Sequence, residues 1–141
     1  MNIPNNSLTS EIKTILNLAE ELQGKRYFEF SPPASADEIS KWENQNNITI
    51  PQSYRDWLTF SNGSVIHGSL AEFYGINKIK LGTKGMPEDS VIIGAATGDG
   101  ERLYFSGKTG DFFTFFHGDI TKYDSFKTIL LTLIDDIEGM N

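Results

Sequence analysis

Gly107, Lys108 and Thr109 reproduce the end of a phosphate-binding loop, inside the acidic, glycine-rich stretch GDGERLYFSGKTGDFFTFF at residues 98–116. In a nucleotide-binding protein that lysine would reach the terminal phosphates and the threonine hydroxyl would hold Mg²⁺. The chemistry also needs a glycine five positions before the second one, on a loop that runs from a strand into a helix. Arg102 occupies that position, and Gly100 lies two residues too early. The segments on both sides read as strands, so Gly107-Lys108-Thr109-Gly110 is expected to turn a hairpin.

Asp99, Glu101, Asp111, His117 and Asp119 are the oxygen and imidazole groups a metal would take. Their spacing fits no calcium loop, and acidic residues beside glycines commonly form turns by accepting bonds from nearby amides. Hydrolysis is poorly supplied. The two histidines, His67 and His117, sit in no zinc-binding or nucleophile-elbow pattern, and there is no cysteine. The carboxylate pairs Glu20-Glu21, Glu88-Asp89 and Asp135-Asp136 fall on helix surfaces or in a loop, where a solvated face accounts for them. No catalytic residue, cofactor or metal ligand is therefore expected.

The elements that would carry any surface come in a readable order. The chain has 141 residues, 38% hydrophobic and 22% charged, a length at which one core buries roughly 70% of the unfolded surface. Leu8, Ile12, Ile15, Leu16, Ala19 and Leu22 recur at helical spacing, with Gly24 past the end. Ser35 and Glu38 are spaced as a capping box ahead of Ile39 and Trp42. Pro51 opens a third helix bearing Tyr54, Trp57, Leu58 and Phe60, stopped by Asn62-Gly63. From Ser64 the pattern changes to short β-prone runs between glycines: SVIHG, AEFYGI, VIIGAA, RLYF and DFFTFF. They lie too close together for repeated helical crossovers. A last helix, capped by Asp124 or Ser125, carries Phe126, Ile129, Leu130, Leu133 and Ile137. The expected fold is α+β over residues 1–141: helices first, a central sheet that is antiparallel or mixed, and a C-terminal helix.

No segment approaches the ~18 apolar residues of a membrane span, and the first residues lack a secretion-signal pattern. A cytoplasmic location is expected, with no membrane partner. Nineteen acidic against twelve basic residues give a net charge of -7, which opposes nucleic acid and suits a basic protein partner.

The stretch ISKWENQNNITIPQSYRDWLTFSNG resembles the signature of the SUKH superfamily through Ile39, Trp42-Glu43, Ile50-Pro51, Tyr54, Leu58 and Asn62-Gly63. VIIGAATGDGERLYF is similar to its strand and Gly-Asp turn through Gly94, Gly98, Asp99 and Gly100. DFFTFFHGDITKYDSFKTILLTLI is similar to its last strand and terminal helix. The resemblance covers about residues 35–135. Ser64 departs from a second glycine common in the family, and Ile50 replaces a common leucine. The resemblance implies a non-catalytic protein-binding domain. Many bacterial members are immunity proteins that neutralise a cognate polymorphic toxin, often a nuclease or deaminase, and fungal relatives regulate cell-wall synthesis. A basic toxin domain is thus the expected partner, and a general regulatory or scaffolding domain is the alternative. A monomer is expected.

Most residues of these motifs are accounted for by folding. The candidates for a contact surface are acidic and aromatic residues near the loops: Glu72, Tyr74, Glu88, Asp89, Asp99, Glu101, Arg102, Tyr104, Asp119 and Tyr123.

Overall fold

The computed structural model describes residues 2–82, 85–96 and 100–140. The first helix, α1 (Thr9–Glu21), turns Ile12, Ile15 and Leu18 inward between Leu8 and Leu22. The buried stripe runs through Leu18, whereas Leu16 and Ala19, expected on it, are half-buried at its margin. Helix α2 (Ala36–Asn46) begins with the anticipated capping box: Glu38 N–H donates to Ser35 Oγ at 3.1 Å, and Ser35 N–H donates to the Glu38 carboxylate at 3.1 Å. Replacing Ser35 by alanine removes one of these and is expected to cost about 1 kcal/mol in urea unfolding. An unchanged midpoint would mean that water serves the freed amide equally well.

Helix α3 (Gln52–Leu58) follows Pro51, which sits at the capping position. Tyr54, Trp57, Leu58 and Phe60 are all fully buried. Helix α4 (Phe126–Gly139) buries the predicted row and Ile134 as well. Ser125 stands at its N-cap, but its hydroxyl caps nothing. The Phe126 amide donates instead to Ser53 Oγ of α3 at 3.1 Å, so a contact distant in sequence fixes where α4 starts.

Among the described residues the sheet has eight strands: β1 (Glu29–Phe30), β2 (Ser64–Ile66), β3 (Ala71–Phe73), β4 (Lys80–Leu81), β5 (Ser90–Ala96), β6 (Glu101–Ser106), β7 (Phe112–Phe116) and β8 (Asp119–Tyr123). Their order is β1-β2-β3-β5-β6-β7-β8, with β4 also on β5, and every pairing is antiparallel. β3 and β4 take successive stretches of the β5 edge that β6 leaves free. The Gly-Lys-Thr segment turns the β6–β7 hairpin: Gly110 N–H donates to the Ser106 carbonyl at 2.8 Å, and Gly110 has φ +77°. His117 and Gly118, at φ +49° and +88°, form the two-residue turn between β7 and β8. That backbone suits a tight hairpin.

One face of the sheet carries Phe73, Leu103, Phe105 and Phe112 into a core shared with all four helices. Trp57, Phe73 and Phe112 surround Phe126, with Tyr54 edge-on to it at 4.9 Å. The Tyr54 hydroxyl donates to the Tyr74 carbonyl at 2.6 Å, tying α3 to the chain leaving β3. Burial pushes the Tyr54 phenol well above its ordinary range.

Candidate functional site

Strand register sorts the candidate residues onto two faces. Across the face away from the core, one row runs Glu29, Val65, Glu72, Ala95, Arg102, Phe115 and Ile120. A second runs Lys80, Ile92, Tyr104, Phe113 and Lys122. Period-2 alternation produces both, since side chains on successive residues point to opposite faces. Tyr104 lies stacked on Phe113 with centroids 5.2 Å apart and only 3% of its surface exposed, so it supports this face from below. Burial, together with the Asp89 charge, raises its phenol pKa.

Glu72 is held by Lys78, whose ammonium lies 2.7 Å from the carboxylate and 4.8 Å from the Tyr74 ring centre. The hydrogen bond to Glu72 raises the Lys78 pKa. These three residues belong to the rim of a cavity of about 340 Å³, whose other side is formed by Glu29, Ser31 and Asn62. The face is mixed in charge. Lys80, Arg102 and Lys122 stand on it, and Lys122 lies 3.7 Å from Asp111.

Glu88 and Asp89 lie elsewhere, in the turn before β5. The Ser106 hydroxyl donates to the Asp89 carboxylate, which is the main reason its pKa is lowered. The Asp89 carbonyl accepts from Gly107 N–H at 2.7 Å, so this residue pins the β6–β7 turn to the start of β5. Asp99 lies outside the described residues, as does Gly98.

Glu101 and Tyr123 are on the core-side face, where they border a groove of about 240 Å³ between the sheet and α4. Asp119 is exposed at the start of β8, in the β7–β8 hairpin. Of the possible metal ligands, Glu101 starts β6, Asp111 precedes β7, and His117 with Asp119 lies at the far end of the β7–β8 hairpin. Among the described residues no three His, Asp or Glu side chains come together as a cation cage. No helix among them is long and apolar enough to cross a membrane.

The nine candidates among the described residues thus do not form one patch. Glu72, Tyr74 and Arg102 share the outer face, supported by Tyr104. Glu101, Asp119 and Tyr123 lie toward α4, and Glu88 with Asp89 at the opposite end of β5. The sequence reading missed Phe113, Phe115 and Ile120 on the outer face, although alternation within DFFTFF already separates Phe113 and Phe115 from Phe112. It also missed Asp136 beside the groove, where a helical step of three from Leu133 was the available signal.

The sequence model of the family described as SMI1 / KNR4 family (SUKH-1) matches residues 33–132. A search of curated proteins gives no match.

Proposed function

The chain belongs to the SMI1 / KNR4 family (SUKH-1), and from that premise we propose that it is a non-catalytic protein-binding domain, specifically an immunity protein that neutralises a cognate toxin by direct binding. Family membership is the observation that carries this reading. The net charge of -7 supports it, because a nuclease or deaminase acting on nucleic acid presents a basic surface, and opposite charge speeds encounter. Half-buried aromatics on an outer sheet face, such as Phe113 and Phe115, are the kind of side chain that gives a tight complex its affinity.

The second reading is a regulatory or scaffolding domain of the cell-wall-regulator type. It draws on the same membership and on the mixed charge of the outer face, which does not by itself demand a basic partner.

Purification of the tagged protein from its own cells, with mass spectrometry of what stays bound, separates the two. The immunity reading expects one basic effector domain in equal amount, released by salt and inactive while bound. A housekeeping complex in its place would transfer the assignment to the regulatory reading. A captured effector that remains fully active in the complex would overturn neutralisation.

A further inference from the structure

The groove between α4 and the sheet is apolar at its base and acidic at its rim. Phe73, Leu103, Ile129 and Leu133 form the base, and the carboxylates of Glu101 and Asp136 stand at the edge. At about 240 Å³ it exceeds the roughly 150 Å³ that accommodates a benzene-sized group. One large apolar side chain from outside fits this space. We propose that the groove docks a basic segment of a partner protein, which inserts an apolar side chain between α4 and β6 while its cations meet Glu101 and Asp136.

Charge selects this occupant. Asp135, Asp136 and Glu138 gather at the end of α4, and its last turn holds no basic residue. The carbonyl end of a helix already carries a partial negative charge, so carboxylates there repel it and cations are favoured. The sheet's own Lys80, Arg102 and Lys122 belong to the opposite face. A second copy of the chain is disfavoured, since each copy would bring the same net charge of -7. An apolar pocket with an acidic lip therefore fits a basic amphipathic segment, the helix-in-groove mode of recognition.

The inference rests on the protein-binding reading, and its test runs independently of any natural partner. A fluorescent amphipathic peptide of leucine and lysine is titrated into the full chain by anisotropy, beside a counterpart with glutamate for lysine. The lysine peptide should bind and weaken with salt, and the glutamate peptide should not bind. Thr132→Trp, at an exposed position lining the groove, should fill it, and Asp136→Lys should reverse its rim. Each is expected to weaken the lysine peptide roughly tenfold or more. Glu88→Lys makes the same charge change at the other end of the sheet and should stay within about twofold. Circular dichroism melting checks that all three variants remain folded.

Absence of binding overturns the proposal, as does an unaltered Thr132→Trp variant. A Glu88→Lys loss equal to that of Asp136→Lys would mean attraction to net charge alone and overturns it too. If the two groove variants hold a natural partner as tightly as the unmodified chain, the groove assignment fails while the protein-binding reading stands. If the unmodified chain captures no partner, that reading is the one that fails.

Discussion

Phe126→Ala is expected to lower the free energy of unfolding by about 3–5 kcal/mol. The ring is fully buried and is met by Tyr54 and Trp57 of α3, Phe73 of β3 and Phe112 of β7, with centroids 4.9, 5.7, 4.9 and 6.1 Å away. Three other elements thus meet on one side chain at the first turn of α4. Its removal leaves a cavity that large aromatic neighbours cannot easily collapse into, and cavity volume adds to the lost burial. With total stability of roughly 5–15 kcal/mol for such domains, the variant would be marginal. Urea titration followed by circular dichroism measures the change. Leu131→Ala on the same helix serves as control: Leu131 is 45% exposed, and its loss should cost no more than about 0.5 kcal/mol. A Phe126 variant within about 1 kcal/mol of the unmodified chain would mean that the aromatic cluster is not the centre of the core.

What the sequence made legible was local periodicity. Leu133 and Ile137 of α4, the Ser35–Glu38 box and the hairpin at Gly107-Lys108 each follow from residues a few positions apart. The same rules exposed the phosphate-loop fragment as a turn, because its missing first glycine is a local fact. Strands β1, β4 and β8 were not legible. β1 and β4 have two residues each, and β8 has the sequence DITKY, with Asp119 and Lys122 exposed. Such segments lack a hydrophobic run and are strands only because a neighbour offers its free edge. The turn that leads into β8 places His117 at positive φ, a conformation uncommon for histidine and so not signalled by the sequence.

The candidate surface was less legible still, because side-chain alternation sends Glu101 and Arg102 to opposite faces although they are adjacent in the chain. Acidity likewise read as one property of the whole molecule. The fold divides it, setting Lys80, Arg102 and Lys122 on the outer face and Asp135, Asp136 and Glu138 at the end of α4. A surface is a product of register and packing, and neither is visible in composition.

Gly75 makes the same point through a backbone contact, and it gives the second large effect. In sequence it sits within AEFYGI, which reads as a strand continuing to Ile76, yet β3 ends at Phe73. The chain then turns across Asn62, whose side-chain carbonyl accepts the Ile76 amide at 2.7 Å. A Cβ on Gly75 would fall 2.4 Å from the Asn62 carbonyl oxygen and 2.7 Å from its carbon. Both are main-chain atoms, so no side-chain rotation relieves the clash. The Asn62 amide is itself held by the Pro32 carbonyl at 3.0 Å, and Gly63 beyond it needs its left-handed φ of +110°. The Asn-Gly stop after α3 therefore also serves as the seat for a crossing that reaches Asn62 from Ile76, 14 residues later in the chain. Gly75→Ala should destabilise by about 2–3 kcal/mol, at the upper part of the range for inserted methyl groups. Gly139→Ala, where nothing lies within 4 Å of the added carbon, should be neutral or stabilising by up to about 1 kcal/mol. If both alanines behave alike in urea unfolding, the close crossing at Asn62 does not constrain the fold. If only Gly75 is intolerant, the position of Tyr74 and Lys78 on the outer face is set by the end of α3 and not by the strand they follow.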